Sequence, residues 1–179
     1  MKKLFLIFIL AFISLTFFAQ IEKEVLDLVN EARTQPKQFL KERVEPYIIE
    51  NELERVRETR SLVQTLKKLD PLPPLVFKEN LNQMAQDFAE EAGKKGWVGH
   101  IKTQQRFEKY APEMENTGEN IQFIYNDAVS IVIDLLIDQG VQGYGHRKNI
   151  LDPNFDFFGF GIAPHKKHEF ISVMTFGTE

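Results

Sequence analysis

Apolar residues along the chain change their spacing several times, and each change marks an element. Val25, Leu26, Leu28 and Val29 recur at helical spacing and predict a first helix ending near Thr34-Gln35-Pro36. Leu53, Val56, Val63, Leu66 and Leu69 share one face of a second, charge-rich helix over 51–69, which the Asp70-Pro71-Leu72-Pro73-Pro74 stretch must end. Leu81, Met84, Ala85, Phe88, Ala89 and Ala92 form the stripe of an amphipathic helix, with Gly93 and Gly96 as its stop. Farther on, Ile121, Phe123 and Tyr125 alternate as in a strand. Asn126 or Asp127 then caps a helix from Ala128 to Gln139 that is apolar almost all round and therefore buried. The alternating segments 158–163 and 169–176, joined by Pro164-His165-Lys166-Lys167-His168, predict a closing hairpin. Helices on both sides of a small, largely antiparallel sheet would bury all these faces, which makes the fold α+β, a three-layer α-β-α sandwich.

The first twenty residues have a different character. Lys2-Lys3, the apolar or hydroxyl run from Leu4 to Phe18 and the Ala19-Gln20 boundary read as a secretory signal peptide over 1–20. That run is shorter than the roughly 20 apolar residues that cross a bilayer, so no stable membrane anchor is expected after cleavage. What remains, 21–179, is the right size for one domain, at 43% hydrophobic and 27% charged residues over the whole chain. With no cysteine, that domain must hold together by packing alone. Loss of Lys2 and Lys3 with the leader moves the formal charge of -4 to -6, and the basic residues are mixed with acids throughout, so a nucleic-acid partner is excluded.

Candidate chemistry is concentrated in three short motifs: Gly99-His100, Gly118-Glu119-Asn120, and Gly145-His146-Arg147-Lys148-Asn149-Ile150-Leu151 followed by Asp152-Pro153-Asn154. Two of the four histidines thus sit beside glycines in expected loops. From the residues alone each has two readings, an exposed group that ligates or titrates or a ring hydrogen-bonded to a nearby carbonyl. Glu119 is open in the same way, between binding backbone amides at a turn and projecting into a groove. Ser61, Ser130 and Ser172 lie in helical or strand patterns without a nucleophile elbow, so an enzyme would have to activate water.

These three motifs, in this order and followed by Gly159-Phe160-Gly161-Ile162-Ala163, resemble the CAP superfamily of cysteine-rich secretory, antigen 5 and pathogenesis-related proteins, in its cysteine-free bacterial SCP-like branch. The resemblance spans about 21–176, with 38–73 as a longer, helical link than the compact members have. It implies a central cleft lined by two histidines and two acids: His100, Glu119 and His146, with Asp138 of Leu135-Leu136-Ile137-Asp138 in the place of the usual glutamate. The shorter Asp138 predicts a weaker hold on a ligand. Two imidazoles and carboxylates are suitable ligands for zinc or another divalent cation, so His100, His146 and Glu119 are the candidate metal residues. Three functions stay open for a secreted, periplasmic or envelope protein: a module binding a lipid, sterol, other small apolar ligand or peptide; a metal-dependent hydrolase of peptides or cell-envelope polymers; or a structural envelope protein in which the polar cluster locks loops together.

Overall fold

The computed structural model describes residues 20–179. The signal peptide expected over 1–20 falls almost wholly outside these residues. Helix α1 (20–34) buries Ile21, Val25, Val29 and Ala32, and with them Arg33. That buried guanidinium donates to the carbonyls of Pro73, Ile150, Asp152 and Phe155, which ties two distant segments to one helix. After Gln35 the chain re-enters a helical rod: α2 (Pro36–Phe39), a π-helical turn (Leu40–Val44) and α3 (Glu45–Glu50). Pro36 and Pro46 stand at first-turn positions, where a missing N–H is tolerated.

Helix α4 covers only Arg57–Lys68, not the whole of 51–69. The shorter span has a local cause. Glu52 adopts a left-handed conformation (φ 55°), and the Leu53 N–H bonds back to the Ile48 carbonyl, so 51–56 form the turn that folds α4 against the rod. Strand β1 (Val76–Phe77) and helices α5 (Glu79–Lys95) and α6 (Thr103–Tyr110) follow. Strand β2 (Asn116–Phe123), helices α7 (Ala128–Ile137) and α8 (Gly145–Ile150), and strands β3 (Phe157–Pro164) and β4 (Phe170–Thr178) complete the chain.

The sheet order is β1-β3-β4-β2. β3 and β2 both run antiparallel to β4, while β1 adds a short parallel pairing to β3. One face carries Phe158, Phe160, Ile162, Met174 and Phe176 into the main core with α1, the rod, α4 and α7. Ile121, Ala163, Ile171 and Val173, on the other, pack on α5. This is the expected α-β-α sandwich.

Glycine sets the spacing of the second layer. A Cβ at Gly159 would lie 2.3 Å from the Asn82 N atom, and one at Gly161 2.3 Å from the Gln86 N atom, so the α5 backbone rests directly on β3. That contact lets the Asn82 and Gln86 side-chain carbonyls accept the Phe160 and Ile162 N–H groups. Gly93, expected to end α5, lies inside it instead, and its missing Cβ makes room for the Pro164 carbonyl oxygen, which a Cβ there would meet at 2.2 Å. Gly96, left-handed at φ 68°, is the actual stop. His165 fixes the β3–β4 turn: its Nε2 donates to the Trp97 carbonyl, and its Nδ1 accepts the Lys167 and His168 N–H groups.

Candidate functional site: two histidine–carboxylate pairs beside an edge strand

β2 is a terminal strand of the sheet, hydrogen-bonded on one side only, to β4. The Gly118-Glu119-Asn120 motif lies inside this strand rather than in a loop before it. Strand alternation therefore sends the Glu119 and Asn120 side chains to opposite faces of the sheet.

On the α5–α6 face, the loop after α5 turns at Gly99 (φ 94°) and brings His100 to Glu119. His100 Nδ1 lies 2.9 Å from Glu119 Oε1. The same oxygen accepts from the Thr103 hydroxyl at 2.8 Å, and Oε2 takes an ion pair from Arg106 Nη1 at 2.5 Å. Arg106 also donates to the Ile101 carbonyl and lies 3.6 Å above the Phe88 ring centroid, so one guanidinium locks the loop, the strand and α5 together. Burial opposes charge on Glu119. Hydrogen bonds from His100, Arg106 and Thr103, together with the Arg106 charge, outweigh it and hold the carboxyl below its ordinary value. Sequence reasoning misses Thr103 and Arg106, although their i, i+3 spacing at the start of a helix puts both on one face.

The second pair lies at the junction of α7 and α8. Asp138 is the left-handed residue (φ 60°) that closes α7, one position beyond the helix rather than within it. His146 stands in the first turn of α8, not in a loop. Asp138 Oδ1 lies 2.8 Å from His146 Nδ1, while Oδ2 accepts the N–H groups of His146 at 2.9 Å and Arg147 at 3.2 Å. The carboxylate thus caps α8 from a distance, where a negative charge is favoured and Tyr144, the residue preceding the helix, offers no side-chain cap. Its short side chain suits that double task.

A third acid, Asp134, sits one turn before Asp138. Burial raises its carboxyl above the ordinary value and the Asp138 charge adds to the effect, although His146 and Gln122 oppose them. Periodicity conceals it, because it falls inside the apolar run of α7.

The four anticipated residues are therefore gathered as two pairs, His100 with Glu119 and His146 with Asp138. A short polar chain joins them through the strand: Asn120 Nδ2 donates to the His146 carbonyl, and Asn149 Nδ2 to Asn120 Oδ1. In each pair the ring Nδ1 is taken by a carboxylate, and Nε2 has no protein partner among the described residues. For a metal ion the fit is incomplete. Carboxylate-backed imidazoles are oriented as metal ligands are, yet both oxygens of Glu119 are engaged. No three His, Asp or Glu groups among the described residues stand together as an ion would require. Two imidazoles fall short of the three or four protein ligands of a zinc site, so no chemical step is assigned to a metal here.

Comparison with known proteins follows the same lines. Residues 26–176 match the sequence profile of the cysteine-rich secretory protein family, CAP. Similar solved structures include an extracellular SCP-domain protein of Bacillus anthracis, at 18% identity and TM-score 0.52 over 68% of this chain and 38% of that one. An outer surface protein of Borrelia burgdorferi has 18% identity and TM-score 0.52 over 74% and 91% of the two chains. Venom allergen-like protein 4 of Schistosoma mansoni has 11% identity and TM-score 0.54 over 88% of each. At these identities the likeness is one of fold. The chain corresponds to well under half the length of the Bacillus protein. No curated protein matches the sequence.

Proposed function

This chain belongs to the cysteine-rich secretory protein (CAP) family, and on that basis we propose that it works outside the cytoplasm, secreted or held in the cell envelope, as a module that binds a small ligand at His100–Glu119 and His146–Asp138. The observation that supports this reading is the condition of the two rings. With Nδ1–H donated to a carboxylate, a neutral imidazole presents the Nε2 lone pair outward as an acceptor. Two such acceptors beside an edge strand suit the N–H of a peptide or the hydroxyl of a sterol or lipid headgroup. Because Glu119 is saturated by Arg106 and Thr103, and Asp138 by backbone amides, both carboxylates orient the rings and neither is free to act on water itself.

A second reading, hydrolysis of peptides or envelope polymers by an activated water, has one feature in its favour: an imidazole backed by a carboxylate is also the arrangement of a general base. One experiment separates the two. Ring carbon–proton signals of His100 and His146 are followed by NMR while blocked peptides, sterol micelles, phospholipid micelles and zinc chloride are added in turn. Binding predicts that one organic class shifts both rings saturably and is recovered intact, and that His100→Ala and His146→Ala weaken it. If no organic probe moves either ring, the binding reading fails. Cleavage of a probe that His100→Ala abolishes would replace it with the hydrolase, and cleavage that also needs added zinc would make that hydrolase metal-dependent.

A further inference from the structure

The register of β2 against β4 decides which of its backbone groups remain open. The Ile124 N–H bonds to the Phe170 carbonyl, and this pair continues the register of the two strands. In an antiparallel ladder, residues that exchange bonds with the partner alternate with residues whose N–H and C=O both turn away from it. Gly118, Asn120 and Gln122 therefore bond to β4, while Thr117, Glu119, Ile121 and Phe123 turn their backbone groups outward. Two of those outward groups meet side chains: Asn149 Nδ2 reaches the Glu119 carbonyl at a long 3.4 Å, and Gln122 Nε2 donates to the Phe123 carbonyl. The four N–H groups and the carbonyls of Thr117 and Ile121 have no partner among the described residues. Across the sheet the molecule treats the same problem differently, since Asn82 and Gln86 close the outward N–H groups of Phe160 and Ile162 on β3. Glu119 is 7% exposed as a residue but 1% in its side chain, so what solvent reaches there is backbone. Backbone groups held in so little solvent call for partners, and an added strand supplies them in register.

We propose that the β2 edge takes an extended peptide segment as a fifth strand of the sheet, with His100 and His146 meeting its side chains from the two faces. This rests on the reading of the histidine pairs as a ligand site and names the ligand. The edge lies between the His100 loop and α6 on one face and α8 on the other, a slot that suits a single extended chain and keeps out the edge of a second folded sheet. Side chains of the added strand alternate as those of β2 do. A residue opposite Glu119 or Ile121 points to the His100 face, and its neighbour points to the His146 face. Each then finds an Nε2 acceptor, so adjacent residues that donate hydrogen bonds, Ser, Thr or Lys, fit the slot. Acidic side chains do not, because they bring no donor to a neutral ring and because Asp138 and Asp134 already stand beside His146.

The test is calorimetric titration of the full chain with acetyl-Val-Thr-Lys-Thr-Val-amide, with the β2 amides followed by NMR. Saturable one-to-one binding is expected, with the Glu119 and Ile121 N–H signals shifted and protected from exchange, and that of Asn120, already bonded to β4, little changed. Two methylated peptides then decide the mode of binding, one carrying N-methyl groups on its second and fourth residues and the other on its first, third and fifth. Only every second amide of an added strand meets β2, so one of them should lose affinity by about tenfold or more while the other keeps it. Acetyl-Val-Glu-Glu-Glu-Val-amide should bind about tenfold more weakly than the parent. Equal effects of the two methylated peptides, equal affinity for the glutamate peptide, binding that leaves the β2 amides unmoved, or no peptide binding would each overturn the proposal. So would a dimer whose β2 amides are protected without peptide, which makes a second copy of the chain the occupant. If sterol or phospholipid micelles move both rings and the peptide does not bind, strand addition fails and the histidine pairs remain a ligand site; if no organic probe moves either ring, both readings fail.

Discussion

Glu119 shows how one residue can be both a site group and a structural anchor. Its side chain is 1% exposed and faces Arg106 at 2.5 Å, so Glu119→Gln leaves a largely buried guanidinium without its partner and should cost about 3 kcal/mol of stability. Because the folded carboxyl lies below its ordinary value, that stability is present above the unfolded value and is lost as pH falls through the folded one. Urea unfolding of both proteins should therefore show the difference at neutral pH and its disappearance in strong acid. Asp134 has the opposite sign. Its raised value means that ionisation opposes folding as pH rises through the carboxylate range, so Asp134→Asn should be more stable than the natural protein at neutral pH and lose that advantage in acid. A variant less stable at neutral pH would show that the Asp134 charge is needed beside His146.

Among the elements, the contact of α5 with β3 tolerates the least change. Gly161→Ala would put a methyl group 2.3 Å from the Gln86 N atom and 2.4 Å from the Ala85 carbonyl carbon, backbone atoms that no rotamer can move. The helix must lift from the sheet, at about 3 kcal/mol, and the bonds from Phe160 and Ile162 to Asn82 and Gln86 should open with it. Denaturant unfolding gives the first quantity and amide exchange of Phe160 and Ile162 the second. Most elements are legible from the chain itself: the closing hairpin, the buried α7 with its Asp127 cap, and α5 all follow from periodicity and capping residues. The rod over 36–50 is legible only as part of a helical link, because its helix is continued through a π turn that shifts the facing positions. Gly93 misleads for a related reason: glycine near a helix end looks like a stop, and only the neighbouring Pro164 carbonyl shows that it is a contact.

For the molecule as a whole, stability without disulfides depends on the main core around α7. Leu135 is 2% exposed there, and Leu135→Ala should cost about 2–5 kcal/mol in chemical denaturation. A near-neutral result would mean that the core is held elsewhere. Layering can be read from the chain alone, because apolar spacing is a local property that each segment carries unaided. So can His100, Glu119 and His146, each beside a glycine in a chain without cysteine, whereas Asp138 is reached only through the resemblance to the CAP superfamily. Their pairing exists only in the closed fold. Which carboxylate meets which ring depends on the alternation of β2, which sends Glu119 to α6 and Asn120 to α8, and on the left-handed turn that aims Asp138 at the start of α8. Arg33 and Arg106 are invisible in the sequence for the same reason, and Arg147, although it stands in the third motif, gives no sign there that it is buried. A buried arginine is defined by the carbonyls and carboxylates it meets from distant segments, and those meetings exist only once the layers have closed.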